Sequence, residues 1–367
     1  MRELKTDVLV VGGGPAGLSA AASAAGAGAN VLIVEGDLHL GGQLVKQSHK
    51  FFGSKEEYAG TRGFEIAKIL REEIANCEDR VEIMLNTTVS GYYREERVVT
   101  AMVGEEEYLR IVPKKIVIAS GAQERLIPFP NNDIPGVYGA GAVQTLMNVY
   151  GVVPGKRVLM IGAGNIGLIV SYQLMQAGVE VAAILEAMPR IGGYWVHAAK
   201  VRRLGVPILL RHSIKRAIGE TVVTGAEIYE LDDKFNQVGE TEVVECDTIC
   251  LAVGLTPTNE LLWQAGCRMK YIPFLCGHVP LRDKCMRTSN EDIWMAGDVS
   301  GIEEASAAMI EGRIAGLGAA KALGFNIQDE MFGEYWVRLK NLRAGEVGEK
   351  IRAGVLNATV DGWEENA

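Results

Sequence analysis

Three glycines and one acid near the N-terminus have the types and spacing of a dinucleotide-binding site. Gly12, Gly14 and Gly17 form the pattern G-x-G-x-x-G, and Glu35 ends the next apolar segment. The first glycine allows a tight turn, the second lets a pyrophosphate approach the backbone, and the third allows close packing of helix on strand. A carboxylate at the position of Glu35 can accept hydrogen bonds from a ribose diol. The pattern therefore predicts that this segment binds a dinucleotide.

A strand–helix–strand unit is needed to position these residues. Residues 8–11 are β-formers, the small residues 19–25 suit a helix packed on a sheet, and residues 30–35 supply the second strand. Pro15, followed by Ala16, suits the first helical turn, where no N–H is needed. A diphosphate would then lie at the positive end of the helix. The complete unit favours a ligand site over an empty glycine-rich turn.

The chain then repeats this pattern. A strand at residues 156–161 leads into three more glycines, with Asn165 and Ile166 before the last of them, and a second acid ends the strand at residues 180–186. The glycines and the acid are Gly162, Gly164, Gly167 and Glu186. One site needs only one copy, so the repeat predicts two dinucleotide sites.

Each copy is followed by a predicted β-meander. Alternating segments at residues 86–112 and 213–246 indicate the two meanders, and strands at 115–119 and 247–252 return to the sheets. A helix is predicted at residues 62–76, before the first meander, from its apolar period.

Length and charge exclude several classes of protein. A chain of 367 residues is long enough for two domains, and its net charge of -9, with no basic run, argues against a nucleic-acid surface. Residues 8–34 and 158–178 carry no charge, but each contains the glycine turn, which suits a buried βαβ unit better than a membrane span. Asp7 and the glycine turn argue against a signal peptide. We expect a cytoplasmic protein.

The cysteines give no sign of a metal or redox site. None of the six is spaced as C-x-x-C, and no group matches zinc or ferredoxin spacing, so no metal site is predicted. Cys267, Cys276 and Cys285 recur every nine residues, and their role is left open. The six are interpreted as thiols in a reducing compartment.

These features resemble the two-dinucleotide-binding-domain flavoproteins, the pyridine nucleotide-disulfide oxidoreductase superfamily that includes thioredoxin reductase. The resemblance covers about residues 5–325. Four further motifs support it, namely Gly41-Gly42-Gln43-Leu44, Ala119-Ser120-Gly121-Ala122, the segment 251–258 around Val253 and Gly254, and the segment 293–298 that ends in Gly297 and Asp298.

The resemblance implies an α/β fold of two Rossmann-like three-layer ββα/βαβ domains, the second inserted in the first, each with a β-meander. FAD would bind a discontinuous domain, about 1–124 with 283–328, and NAD(H) the inserted domain, about 125–282, while 329–367 would form a helical tail. The implied FAD contacts are Gly12, Gly14, Pro15, Ala16, Gly17, Glu35, Gly42, Gln43, Ala119, Ser120, Gly121, Gly297, Asp298 and Ala305. The implied NAD contacts are Gly162, Gly164, Asn165, Ile166, Gly167, Glu186, Val253 and Gly254.

In the family, these positions have defined tasks. The resemblance implies that Glu35 holds the adenosine ribose of FAD and Asp298 its ribitol chain, while the helix that starts near Glu304 directs its positive end at the flavin. Glu186 should prefer the free 2'-hydroxyl of NAD(H), because it would repel a 2'-phosphate. Arg190, four residues later, leaves NADP disfavoured rather than excluded.

The chain departs from the disulfide reductases at the cysteine pair. Residues 138–144 and 42–46, where two branches of the superfamily carry it, contain no cysteine, so dithiol–disulfide exchange is not expected. Residues 134–142 and 151–156 look most like the FAD/NAD subunits of sarcosine oxidase (alpha), opine oxidase, hydrogen cyanide synthase and dye-linked proline dehydrogenase. Those proteins generally work beside a second flavoprotein subunit, and they often carry an iron–sulfur module, of which this sequence shows no recognisable sign.

The sequence thus predicts an FAD-dependent oxidoreductase that exchanges a hydride between NAD(H) and flavin, then passes electrons to a small-molecule substrate or a partner subunit in a homo- or hetero-oligomer. His49 and Lys50, which follow the Gly42 loop, are candidates to face the flavin. Two alternatives remain open, a thioredoxin-reductase-like ferredoxin-NAD(P) reductase and a non-catalytic electron-relay subunit. No residue names the oxidisable substrate.

Overall fold

The computed structural model describes residues 2–346 and 348–363, which divide into two compact units. The first unit comprises Met1–Gln123 and Thr256–Ala367, and the second comprises Glu124–Leu255. The second unit is therefore inserted in the first, as the sequence predicts.

The first unit begins with the predicted βαβ pattern. Its elements before the insertion are β1 (Arg2–Val11), α1 (Pro15–Gly26), β2 (Val31–Val34), α2 (Gly63–Ala75), β3 (Val81–Met84), β4 (Thr87–Tyr93), β5 (Val98–Val103), β6 (Glu107–Ile118) and β7 (Ala122–Glu124). The last residues of β1 and all of β2 are buried, as expected for parallel strands covered on both faces.

The second unit repeats the arrangement around its own cores. Its elements are β8 (Val137–Gly139), α3 (Ala140–Asn148), β9 (Arg157–Ile161), α4 (Asn165–Gln176), β10 (Glu180–Glu186), α5 (Trp195–Arg203), β11 (Ile208–Leu210), β12 (His212–Ile218), β13 (Gly225–Leu231), β14 (Gln237–Glu245) and β15 (Thr248–Leu251).

The chain then returns to the first unit. The remaining elements are β16 (Leu255–Pro257), α6 (Glu260–Gln264), β17 (Met269–Ile272), β18 (Gly277–Pro280), β19 (Ile293–Met295), α7 (Ala305–Ala322), α8 (Asp329–Leu342) and α9 (Glu349–Ala358). A 3-10 turn at Gly297–Ser300 precedes α7.

Both predicted meanders are present, but the two units join them to the sheet differently. The first unit has a seven-stranded sheet in the order β3-β2-β1-β6-β5-β4, with β19 also paired to β6, so its meander belongs to the main sheet. In the second unit the parallel sheet β11-β10-β9-β15-β8 is separate from the antiparallel sheet β12-β13-β14. The mixed α/β architecture is the predicted one.

The second boundary lies earlier than the position near residue 282 that the sequence indicated. Residues 256–282 belong to the first unit. Leu262 and Cys267 are buried in the core of that unit, and Gln264 Oε1 accepts a hydrogen bond from the backbone of Tyr92 at 2.9 Å. These contacts join residues far apart in sequence, which a local pattern does not reveal.

The tail predicted at 329–367 contains α8 and α9, and residues 364–367 lie outside the described part. The tail is packed into the first unit rather than set apart from it, since Phe332 and Leu339 join its core. Within residues 2–346 and 348–363, no helix combines the length and apolar character needed to cross a bilayer.

Candidate functional sites

The first glycine turn connects β1 to α1 with no space for side chains. Gly12 has φ +103°, and a Cβ atom there would lie 2.4 Å from the carbonyl oxygen of Ala119. A Cβ atom on Gly17 would lie 1.8 Å from the carbonyl oxygen of Gly12. Gly14 is the N-cap residue of α1, and no side chain caps the helix there. The free backbone N–H groups in the first turn of helix α1, around Ala16, are therefore suited to bind an anion.

Glu35 closes the other side of this turn. Its Oε2 accepts a hydrogen bond from Gly13 N at 2.6 Å, and its Oε1 accepts one from Asp37 N at 2.8 Å. These two bonds fix the carboxylate at the end of β2, beside the glycine turn. A fixed carboxylate there is suited to accept hydrogen bonds from the hydroxyl groups of a ribose.

The Gly41–Gly42 loop lies directly against the first turn of α1. Gly41 N donates to the carbonyl oxygen of Gly13 at 2.8 Å, and a Cβ atom on Gly42 would lie 2.8 Å from Gly14 Cα. Gln43 lies in a separate 3-10 turn at Gly42–Lys46 and is exposed. The structure thus brings Gly42 to the glycine turn.

The end of β6 approaches the same place from the sheet. Ala119 N donates to the carbonyl oxygen of Val11 at 2.8 Å. Beyond it, Ser120 Oγ donates to the carbonyl oxygen of Thr258 at 2.6 Å, and Thr258 N donates to Gly121 O at 3.0 Å. Ala119 is therefore at the glycine turn, while Ser120 and Gly121 are tied to the segment after β16.

The turn that carries Gly297 and Asp298 also adjoins α1. A Cβ atom on Gly297 would lie 2.8 Å from Ala16 Cβ, which places the turn beside the start of that helix. Burial and neighbouring carboxylates raise the pKa of Asp298 to about 7. Ala305 is the first residue of α7, and Glu304 is its N-cap residue, without a side-chain hydrogen bond to the cap.

The second glycine turn reproduces the first in its main contacts. Gly162 has φ +107°, and a Cβ atom there would lie 2.3 Å from Ala252 O; one on Gly167 would lie 2.0 Å from Gly162 O. Gly164 is the N-cap residue of α4, where no side chain caps the helix, and a Cβ atom on it would meet nothing within 4 Å.

Glu186 makes the same pair of hydrogen bonds as Glu35. Its Oε2 accepts from Ala163 N at 2.9 Å, and its Oε1 accepts from Met188 N at 3.0 Å. Arg190 is exposed, beyond this pair. The second unit therefore presents a carboxylate and an uncapped helix in the same relation as the first.

A second double-glycine loop was missed from the sequence. Gly193 N donates to Ala163 O at 2.9 Å, as Gly41 N does to Gly13 O in the first unit. The next residue, Tyr194, donates its N–H to Asn165 Oδ1 at 2.8 Å. The signal was present, because Gly192 and Gly193 follow the second acid much as Gly41 and Gly42 follow the first.

The other residues expected at the second site are at its edges. Ile166 is half-buried and packs against one of the cores of the unit. Val253 packs against the other core, and Gly254 O accepts a hydrogen bond from Arg125 N at 2.9 Å. These two residues lie just beyond Ala252, whose carbonyl borders the glycine turn.

His49 and Lys50 lie in the loop before α2. The His49 ring stacks on Phe51 with centroids 5.5 Å apart, and Lys50 forms an isolated bridge with Arg62. Gly53, further along this loop, approaches the first turn of α7, since a Cβ atom there would lie 3.6 Å from Ser306 Oγ. The loop that carries both residues thus reaches α7.

The cysteines form no disulfide in the part of the chain that the structure describes. Burial raises the pKa of the Cys246 thiol to about 11 and raises that of Cys250 further. Among the described residues, no group of three or more His, Cys, Asp or Glu side chains is arranged to hold a metal ion.

The two sites offer the same groups for binding a dinucleotide. Each offers backbone N–H groups at a helix start for a diphosphate and a fixed carboxylate for a ribose. The first site alone adds a half-buried acid, Asp298, and the start of α7. The two sites are therefore alike in binding chemistry and different in what lies beyond the diphosphate.

Comparison with known proteins places this geometry in a family. The family model "Pyridine nucleotide-disulphide oxidoreductase" matches residues 6–312. An opine oxidase subunit from Rhizobium meliloti is 28% identical over 87% of this chain and 63% of its own length, so the chain spans less than two thirds of that relative.

Two solved structures share the fold. L-proline dehydrogenase of P. horikoshii superposes with a TM-score of 0.72 at 23% identity, covering 92% of this chain and 59% of that one. Thioredoxin reductase of T. acidophilum gives a TM-score of 0.70 at 22% identity, covering 86% of this chain and 98% of that one. The resemblance drawn from the motifs is confirmed.

Proposed function

The chain belongs to the pyridine nucleotide-disulphide oxidoreductase family, and from that membership we propose that it is an FAD-dependent oxidoreductase exchanging a hydride between NAD(H) and flavin. The observation that carries the proposal is the duplicated site, with Glu35 and Glu186 each held by two backbone N–H groups. A family enzyme that moves electrons between two dinucleotides needs two such sites.

We assign FAD to the first unit because only that site has Asp298 and the start of α7 beyond its diphosphate position. Asp298 is partly buried, and its ionised carboxylate can accept a hydrogen bond from a hydroxyl group of the ribitol chain. The N-terminus of α7 can stabilise negative charge on a reduced flavin. FAD would supply a hydride acceptor, and the chain's own residues bind and orient it.

We assign NAD(H), rather than NADP(H), to the second unit. The carboxylate of Glu186 is fixed where it can accept hydrogen bonds from both ribose hydroxyl groups, and its negative charge would repel a 2'-phosphate. The exposed Arg190 lies near enough in sequence to leave some affinity for NADPH. We therefore expect a strong preference instead of complete exclusion.

We infer that the enzyme does not work by dithiol exchange. The start of α3, where a branch of the family carries its cysteine pair, has Ala140 and Gly141, with Gly141 N donating to Glu124 Oε1 at 2.6 Å. The buried Cys246 and Cys250 have raised pKa values, which disfavour the nucleophilic thiolate. Electrons would then leave for a small substrate or for a partner subunit, and the names of the relatives, which are themselves subunits, favour the latter.

Anaerobic titration tests the proposal directly. The purified protein should show a flavin spectrum, and NADH should bleach the flavin band at far lower concentration than NADPH. A Glu186→Arg variant should narrow or reverse that preference without loss of flavin. A yellow protein that neither nucleotide bleaches would overturn hydride exchange and favour the electron-relay role instead.

A further inference from the structure

Arg343, the residue after α8, has a guanidinium group that is almost completely buried, with 6% of the side chain exposed. It holds two carboxylates at once. Nε donates to Glu303 Oε2 at 2.8 Å, and Nη2 donates to Glu303 Oε1 and to Glu311 Oε1, both at 2.7 Å. A planar guanidinium can make this forked contact, which a lysine ammonium cannot reproduce.

Glu311 connects Arg343 to the turn that carries Asp298. Its second oxygen, Oε2, accepts from Gly297 N at 3.0 Å and from Ser300 Oγ at 2.7 Å. The residues on either side of Asp298 in this turn are therefore held by a carboxylate that Arg343 holds in turn.

Arg343 reduces an excess of negative charge around Asp298. Carboxylates outnumber guanidinium groups here, and the groups are Asp298, Glu303, Glu304, Glu311, Arg282 and Arg343. A buried carboxylate that loses its cation takes up a proton or destabilises its surroundings. Arg343 is thus the cation bound directly to Glu303 and Glu311 in this cluster.

We propose that Arg343 is a positioning residue for the flavin site: through Glu311 it fixes the Gly297–Ser300 turn, and its charge offsets the carboxylates beside Asp298. The inference rests on the proposed binding of FAD to the first unit. It assigns to a residue of the C-terminal helices a task in the cofactor site.

Arg338, within α8, provides the control variant. Its Nε donates to Glu57 Oε1 at 2.7 Å, and Glu57 is as buried as Glu311. Arg338→Met therefore removes an ion pair that anchors α8 to a buried carboxylate, although the Arg338 side chain is itself 34% exposed, and the bonds of this pair go to Glu57 rather than to the Gly297–Ser300 turn.

The test compares Arg343→Met, Arg343→Lys and Arg338→Met in the full chain by FAD affinity and flavin midpoint potential between pH 6 and 9. Arg343→Met should bind FAD at least about tenfold more weakly at pH 8.5, where unpaired carboxylates ionise, and less so at pH 6. Its midpoint potential should be more negative than the wild type at pH 8.5, because a positive charge near the reduced flavin is lost. Arg338→Met should match the wild type in potential and in pH dependence.

Arg343→Lys separates position from charge and remains useful if the methionine variant does not fold. We expect it to retain the wild-type potential, because the charge is kept, while its FAD affinity falls, because the fork is lost. Equal FAD affinity and potential in Arg343→Met and Arg338→Met would overturn the inference, as would wild-type FAD affinity in Arg343→Lys. A wild-type protein that binds no FAD would instead refute the proposed function.

Discussion

At the scale of single residues, Glu35 and Glu186 are an internal comparison, because the same side chain makes the same two hydrogen bonds in each unit. We expect Glu35→Gln to lose FAD while it still binds NADH. Glu186→Gln should keep FAD and bind NADH roughly tenfold more weakly, since a hydrogen bond to a charged group contributes about 1.5–3 kcal/mol. The flavin-to-protein ratio and NADH binding by equilibrium dialysis measure the two effects. If Glu186→Gln loses FAD and Glu35→Gln does not, the assignment of FAD to the first site and NADH to the second would be reversed.

Asp298 should make the stability of the flavin-free protein depend on pH. Its pKa is raised from an ordinary 3.8 to about 7, so the folded state binds a proton that the unfolded state releases between these values. The corresponding stability is present below about pH 4 and is lost as the pH rises to about 7. Each unit of difference between the folded and unfolded pKa values contributes about 1.4 kcal/mol to the free energy of unfolding.

Asp298→Asn removes this dependence. The flavin-free variant should gain more stability over the wild type at pH 8 than at pH 4, while its FAD affinity should fall because the charged acceptor is lost. Urea unfolding at the two pH values measures the difference. A gain of the same size at both pH values would show that folding does not raise the pKa of Asp298 in the flavin-free protein.

At the scale of elements, the close approach of α1 and α7 explains how the first site is held. A Cβ atom on Gly312 would lie 2.1 Å from the carbonyl oxygen of Ala16, and one on Gly316 would lie 2.2 Å from that of Ala20. Helix α7 thus packs directly on the backbone of α1, just behind the glycine turn. A change in this contact must move the start of α1.

Gly312→Ala should therefore be destabilising even though alanine favours a helix. We expect a loss of about 1–3 kcal/mol in the free energy of unfolding and a lower FAD content. The same substitution at Gly333 in α8, where a Cβ atom would meet nothing within 4 Å, should be neutral or stabilising by up to about 1 kcal/mol. Chemical denaturation of both variants gives the comparison. Equal effects would mean that α1 and α7 adapt to the added methyl group.

The elements also show what local sequence can predict. Helix α2 (Gly63–Ala75) was predicted at 62–76, because its apolar period is a local signal. The strand predicted at 115–119 is instead the end of the longer β6, which continues through Pro113. Pro113 is in register with Thr6 of β1 but lies between the residues of β6 paired with β5 and those paired with β19, so its missing N–H interrupts neither of these two pairings.

The parts that sequence did not reveal depend on distant partners. Glu35 and Glu186 are identified from the sequence because their positions follow from spacing along one βαβ unit. Arg343 is not, because its proposed role depends on Glu303 and Glu311, which precede α8 in the chain and have no spacing rule that links them to it. Gly192 and Gly193 fall between these cases, since only comparison of the two copies identifies them.

At the scale of the whole molecule, each unit has its own core, so ligand effects should be separable. The core of the first unit includes residues of α1 and α7, whereas α4 belongs to a core of the second unit. A ligand that binds only the folded state stabilises it by RT ln(1 + [L]/Kd), about 2.7 kcal/mol at a hundredfold excess over Kd. That stabilisation should slow hydrogen exchange most in the unit that binds the ligand.

Hydrogen exchange with each ligand added separately should therefore divide the chain along its two units. FAD should protect amides of α1 (Pro15–Gly26) and α7 (Ala305–Ala322), while NADH added to the flavin-loaded protein should protect α4 (Asn165–Gln176) and the end of β10. AMP, which lacks the nicotinamide, is the control. Added to the flavin-loaded protein, it should protect the same amides of the second unit as NADH does and no others. No added protection of α4 when NADH is added to the flavin-loaded protein would show that the second glycine turn does not bind the nucleotide, and the duplicated site would then no longer support hydride exchange.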